Sequence, residues 1–379
     1  MWKYNLKILL FLCTITACFW VPSLLATEFK FQDYPGTVDI KNRVLVDFDY
    51  TKSQPDNKAP GKEVTVVRET FETKGTLETI ILATREIKNG WQATGDVEID
   101  FTTEDAFSFT KAYVKLNQGA WYGKLGKEDL EDAYIFGEDT LLVHAFFGPT
   151  GYGASDVSDL GLGLGRKTEE MHFQLWVPYS NAGGSNILGV RPFVEAKLGL
   201  ITIVGALESQ VKRSQQDKTT KTEGQMIEDS IEVNRIDGFG LSLYAEPQLA
   251  PNGSMIGIAY AAKNETTETQ TSKLQDLNSV TYGIFSTFYI SGETWVGLGY
   301  HYATELLKSG STASTAIIKT EQDGSKWFLA FHQTIGRGTA IKLAVSGTST
   351  EVRPEEVTTA DPERDTEIIG ARMKWVYRF

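Results

Sequence analysis

The chain is poor in cysteine: 379 residues contain two, Cys13 and Cys18, both near the N-terminus. Disulfide staples, on which small exported domains depend, are therefore excluded for everything beyond residue 18. Histidine is nearly as scarce. His144, His172, His301 and His332 are scattered, with no second ligand at zinc spacing, so neither a catalytic metal nor any other cofactor is expected. A G-x-S-x-G nucleophile elbow is also missing, which disfavours hydrolases built on that turn. Basic charge is in deficit, 37 lysines and arginines against 49 acids for a net −12, and this argues against nucleic acid as a partner. Past the first 26 residues no apolar run is long enough for a membrane helix. That last absence does not exclude a membrane crossed by strands, because only alternate residues of such strands meet lipid.

What is present begins with an export signal. Lys3 and Lys7 precede the apolar stretch Ile8 to Phe19, and Pro22-Ser23-Leu24-Leu25-Ala26 leads into polar Thr27-Glu28. This is the order of a secretory signal over residues 1–26, with residues 27–379 as one domain. Leu24, three residues before that cut, is imperfect and leaves the site of cleavage open. Two rival readings remain. An uncleaved anchor would need a long helix, which Pro22 opposes, and Ile15-Thr16-Ala17-Cys18 has the form of a lipobox that would acylate Cys18. Cleavage after Ala26 leaves no cysteine, and 35 basic against 49 acidic groups, a net of −14.

Strand signals fill the remainder. At the C-terminus Ala371, Met373, Trp375, Tyr377 and Phe379 alternate with Arg372, Lys374, Val376 and Arg378, so one face suits lipid and the other water. Similar alternation runs through Phe239–Ala245, Ile256–Ala261, Val296–Tyr302 and Ile341–Ser346. Extended segments are also read at Val38–Tyr50, Trp91–Phe101, Phe107–Leu116, Gln118–Gly126, Leu160–Lys167, Met171–Tyr179, Thr281–Ile290 and Lys326–Gln333. Two strands are expected within Glu63–Ile87, and two within Arg191–Val211, turning near Leu198-Gly199. In Gly161-Leu162-Gly163-Leu164-Gly165 the leucines suit lipid and the glycines a lumen; no helix follows to make a dinucleotide site.

The connections alternate in length. Asn117-Gln118-Gly119, Pro251-Asn252-Gly253, Ser291-Gly292-Glu293 and Gly336-Arg337-Gly338 are short turns. Ser53–Lys62, Ser214–Asn234, Lys263–Asn278, Leu307–Gly324 and Ser349–Asp365 read as long polar loops. Short turns at one end and long loops at the other suit an all-β, transmembrane antiparallel β-barrel. Strands of about 9 to 11 residues make the length compatible with about 16 of them, with 14 and 18 open.

These features together resemble the Gram-negative outer-membrane porin family of general-diffusion type. The resemblance rests on the signal, the cysteine-free mature chain, the unequal loops and the terminal Trp375-Val376-Tyr377-Arg378-Phe379. It is reinforced by Phe109-Thr110-Lys111-Ala112-Tyr113-Val114-Lys115-Leu116 followed by Trp121-Tyr122-Gly123-Lys124-Leu125-Gly126-Lys127, similar to a porin hairpin that leads into a loop folded within the lumen. The resemblance implies a location in the outer membrane, contact with its lipid and lipopolysaccharide, a homotrimer, and recognition of Trp375, Tyr377 and Phe379 by the barrel-assembly machinery. It also implies that residues 127–160 form the constriction loop. The family's loop tip is absent; Phe147-Gly148-Pro149-Thr150-Gly151-Tyr152-Gly153 stands in its place.

On that reading the loop supplies acids, Glu128, Asp129, Glu131, Asp132, Glu138 and Asp139, and the strands supply a basic wall of Lys111, Lys115, Lys342, Arg372 and Lys374. Opposed charges in a narrow water channel would set up a transverse field. The expected function is passive diffusion of small hydrophilic solutes, without catalysis. The alternatives are a channel specific for a sugar, organic acid or siderophore, for which Tyr113, Trp176 and Tyr244 are candidate lumen aromatics; a barrel enzyme; and an adhesin.

Overall fold

The computed structural model describes residues 27–30, 36–59, 62–65, 67–103, 107–127, 160–182, 185–216, 230–246, 254–269, 272–310, 317–336, 338–355 and 363–378. Its strands in chain order are β1 (Thr27–Lys30), β2 (Gly36–Ala59), β3 (Lys62–Thr65), β4 (Arg68–Glu86), β5 (Trp91–Thr102), β6 (Ser108–Gln118), β7 (Trp121–Lys127), β8 (Gly161–Lys167) and β9 (Met171–Ala182). They continue with β10 (Ser185–Leu198), β11 (Ile201–Gln216), β12 (Ser230–Ala245), β13 (Met255–Thr269), β14 (Ser272–Ser291), β15 (Thr294–Gly310), β16 (Ile317–Thr334), β17 (Thr339–Pro354) and β18 (Glu363–Arg378).

Sixteen of these strands make a closed antiparallel barrel. β2 pairs with β4, each strand from β4 to β18 pairs with the next, and β18 returns to β2 with Arg378 opposite Arg43 and Glu363 opposite Lys58. The two short strands are accessories along the edges of β2. β1 pairs with it below the end of β18, and β3 pairs with Asp56–Ala59 beyond the start of β4. Closure gives each of the sixteen crossing strands a neighbour on both sides, which is the condition for a sheet to cross a bilayer. Among the described residues no helix is long and apolar enough to cross a membrane.

The two faces sort by chemistry. Along β8, β12, β13, β16 and β17 one face carries Leu162, Leu164, Leu241, Leu243, Ile256, Ile258, Leu329, Leu343 and Val345, all exposed; Leu164 is 54% and Ile284, on β14, 60% accessible. Apolar exposure on this scale suits contact with hydrocarbon. The opposite face, turned to the lumen, carries glycine, small polar and charged residues, aromatic rings lying on the glycines, and one apolar cluster on β10–β14. The outward leucines and inward glycines expected in β8 are arranged in that way.

Short turns gather at one end. Asn89 (φ 65°) and Gly90 (φ 75°) make a tight connection between β4 and β5, both in the left-handed region that asparagine and glycine tolerate and that matches the twist of a hairpin. The turns expected at Asn117–Gly119, Leu198-Gly199 and Ser291–Glu293 are present, and Gly336 and Gly338 both take positive φ between β16 and β17. Pro251-Asn252-Gly253 lies outside the described residues.

Two expectations need correction. Glu63–Ile87 contains one crossing strand, β4, with β3 as a four-residue continuation, where two were expected. The loops are also shorter than expected. Lys263–Asn278 is almost wholly strand, since β13 runs to Thr269 and β14 starts at Ser272; β2, β11, β15, β16, β17 and β18 likewise extend into segments read as loop. The physical reason is that beyond the bilayer both faces of a strand meet water. The apolar alternation then disappears while the hydrogen-bonded ladder continues.

Candidate functional site, the inner wall

An acidic arc lies on the inner face of three neighbouring strands. Asp47 and Asp49 come from β2, Glu78 from β4, and Asp96, Glu98 and Asp100 from β5, placed by the two-residue repeat of each strand. Basic groups meet these acids from the flanks. Arg372 of β18 grips Asp49 with two nitrogens, Nη2 donating to Oδ2 at 2.7 Å, and Lys374 stands 3.3 Å from Asp47. Arg43 pairs with Glu78, and Lys111 of β6 approaches Asp96 at 4.0 Å.

Glu78, Glu98 and Asp100 bring three carboxylates within 4.8 Å of one another, the spacing of a metal-ligand set among the described residues. Glu78 is buried, and its Arg43 partner already supplies a positive charge there. That is one positive charge against three carboxylates.

Next to the acidic arc is a patch where ammonium groups alternate with tyrosine rings. On β6, Lys111, Tyr113 and Lys115 share the inner face; on β7, Lys124 lies opposite Lys115 and Tyr122 opposite Asn117. Lys124 Nζ lies 5.2 Å from the ring centre of Tyr113 and 5.3 Å from that of Tyr122, and Lys115 Nζ lies 4.7 Å from Tyr122. These are cation–π distances, which hold the ammonium groups against the wall without cancelling their charge. Tyr113 Oη donates to Asp96 Oδ2 at 3.1 Å, joining the two patches.

The glycines of β8 make room for this arrangement. A Cβ at Gly165 would lie 2.3 Å from the Tyr122 ring, and one at Gly161 would lie 2.4 Å from the ring of Trp176 on β9. The rings therefore lie flat along the wall. Tyr122 Oη is hydrogen-bonded to His172 Nε2 at 2.7 Å, and His172 packs edge-on against Phe193 of β10. Further round, Arg191 and Glu208 approach at 4.0 Å with both side chains buried, and Phe193, Val204, Ala206, Ala259, Ala261 and Phe285 form an apolar cluster on the inner face of β10–β14.

Of the residues singled out from the sequence, Lys111, Lys115, Lys342, Arg372 and Lys374 lie on the inner face, with Lys342 5.9 Å from the Trp295 ring centre. Arg372 and Lys374 face carboxylates on the adjacent strand and so form part of a mixed surface. Trp375 and Tyr377 lie on the outer face, their rings stacked at 5.9 Å. Glu128, Asp129, Glu131, Asp132, Glu138, Asp139 and Phe379 lie outside the described residues. The inner-face acids are not among the residues expected from the sequence, although Asp47 and Asp49 alternate with Val46 and Phe48, and Asp96, Glu98 and Asp100 alternate with Val97 and Ile99. That alternation was the available signal.

The architecture is that of a closed 16-stranded antiparallel β-barrel with a charged inner face. No known family profile and no curated protein matches the chain. Among solved structures, OmpT of Vibrio cholerae, folded in vitro, superposes with a TM-score of 0.59 at 14% identity, covering 93% of this chain and all of that one. An anion-selective porin from Comamonas acidovorans gives 0.53 at 12% identity, over 91% of this chain and all of that one. Salmonella typhi OmpF, in complex with daunomycin, gives 0.50 at 11% identity, over 93% of this chain and all of that one. The chain has the fold of these outer-membrane barrels.

Proposed function

We propose that this protein is an outer-membrane porin, a passive channel for small hydrophilic solutes that acts without catalysis. The observation carrying this reading is a closed 16-stranded wall with a charged, hydrogen-bonded inner face and an apolar outer one. A barrel of this strand number encloses more space than wall side chains fill. Residues 1–26 act as a cleaved export signal, the C-terminal aromatics as the assembly signal, and the mature barrel as a homotrimer. The acids of residues 127–160 narrow the lumen.

A second reading is favoured by the lysine and tyrosine patch of β6 and β7. Lys115 and Lys124 lie against Tyr122, and an anion, especially one bearing a ring, would find both charge and a stacking surface there. The channel then prefers organic anions over cations of equal size.

Recording from single channels in planar bilayers separates these readings. Large ohmic steps, with permeability falling smoothly with solute size, are expected for general diffusion. A reversal potential in a salt gradient that shifts toward cations when Lys115 and Lys124 are both changed to Gln is expected if the patch selects anions. Absence of conductance from the purified, refolded barrel would reject both.

A further inference from the structure

The outer face of β12–β16 carries a two-part depression that solute passage does not use. Asp237, Asn264, Asn278, Leu306 and Glu321 stand side by side in register across these five strands. One row nearer the short-turn end come Phe239, Ala262, Val280, Thr304 and Asp323, and one row beyond that Tyr260, Tyr282 and Tyr302. Ala262, Val280 and Thr304, the smaller residues of the middle row, lie between Phe239 and Asp323 and leave a groove of about 550 Å³ between the polar lip and the row of rings. Crossing five strands at the spacing of a sheet, it is ~19 Å long.

A second hollow of about 440 Å³ adjoins it on the membrane side. Its upper edge is Tyr260 and Tyr282, and its walls are Leu241, Leu243, Ile258 and Ile284. Rows of tyrosine between an apolar band and polar strand extensions mark the level at which a barrel leaves the hydrocarbon.

We propose that the two hollows together seat one membrane glycolipid, with its acyl chains in the apolar trough and an uncharged sugar headgroup in the groove above. The trough offers only hydrocarbon and ring surface, which excludes a water-soluble ligand. The lip offers two carboxylates, Asp237 and Glu321, and two amides, Asn264 and Asn278, a set that pairs with hydroxyls acting as both donor and acceptor. The tyrosine rings beneath suit the apolar face of a pyranose. A phosphate headgroup would instead meet like charge at Asp237 and Glu321. The neighbouring cation Arg353 is already engaged, 3.3 Å from Asp323.

The inference rests on the barrel lying in a bilayer, and it is independent of whether the lumen conducts. The test titrates the delipidated, refolded chain in mixed micelles with a monoglucosyl diacylglycerol and, separately, phosphatidylglycerol of matched acyl chains, counting bound lipid by native mass spectrometry. The glycolipid is expected to bind about tenfold more tightly, a difference that one or two well-placed hydrogen bonds produce. Ala262→Trp fills the floor of the groove from the outer face and should abolish the preference without altering single-channel conductance. The isosteric pair Asp237→Asn and Glu321→Gln should narrow it roughly threefold by relieving the repulsion of phosphate. Equal binding of the two lipids, tighter binding of phosphatidylglycerol, or a preference that survives Ala262→Trp would overturn the proposal. A glycolipid preference in a barrel that does not conduct would support it while rejecting the channel.

Discussion

At the scale of single residues, the lumen is shaped by where a Cβ is missing. Gly126 on β7 has φ 140°, and a Cβ there would lie 2.3 Å from the carbonyl oxygen of Ala112. Backbone cannot yield as a flexible side chain can, so Gly126→Ala should destabilise the barrel by about 1–3 kcal/mol, from strain and overpacking together. Gly95 on β5 has open space around the same position, and Gly95→Ala should stay within about 0.5 kcal/mol. Urea unfolding of both variants in lipid vesicles, followed by tryptophan fluorescence, checks the contrast; equal effects would dissociate stability from this geometry. The inward glycines of β8 were legible because leucine alternates with them. Gly126 was not distinguishable, since nothing local announces that the hairpin partner's backbone passes so close.

At the scale of elements, the closing seam between β18 and β2 is held by charge as well as by its ladder. Arg372 and Asp49 are directly opposite in register and joined by two hydrogen bonds, with side chains 23% and 19% accessible. Partial access to water weakens the pair relative to a fully buried one. A double-mutant cycle with Arg372→Gln and Asp49→Asn should return a coupling of about 1–2 kcal/mol in unfolding free energy. A coupling near zero would leave the seam to backbone pairing alone. Strand positions within the bilayer could be read from the sequence because lipid on one side and water on the other impose a two-residue period. The upper ends could not. In β13 beyond Lys263 the sequence is Asn264-Glu265-Thr266-Thr267-Glu268-Thr269, polar on both faces, and only the pairing with β14 reveals a strand. The charge pattern was half legible for a related reason: alternation placed Arg372 and Lys374 on the inner face, while their partners, Asp47 and Asp49, lie more than three hundred positions away in the chain.

At the scale of the whole molecule, every strand depends on two neighbours, and β18 is the neighbour of both β17 and β2. A chain lacking residues 363–379 would leave two unpaired edges within the hydrocarbon, each carrying a row of unsatisfied backbone groups. It should fail to yield the protease-resistant, heat-modifiable band that marks an assembled barrel on a cold gel. Recovery of that band from the truncated chain would show that the wall closes by another pairing. The general architecture was legible because lipid contact, turn chemistry and strand length all act locally. The strand number followed from chain length, and sixteen strands do cross; length could not show that Glu63–Ile87 holds a single crossing, because the apolar Val64, Val66 and Val67 ahead of Arg68 resemble a separate strand.

The seam also has a consequence in time. All the other strand contacts of the barrel join neighbours in the chain, whereas β2 waits for a partner that begins at Glu363. The cylinder cannot close before that strand has been made, and loop-closure entropy for this one contact must be met late. An incomplete sheet would meanwhile present both an apolar face and a free edge to water, the combination most prone to aggregation. The order of events is therefore imposed by topology: the ring closes only once the strand that begins at Glu363 is available to β2.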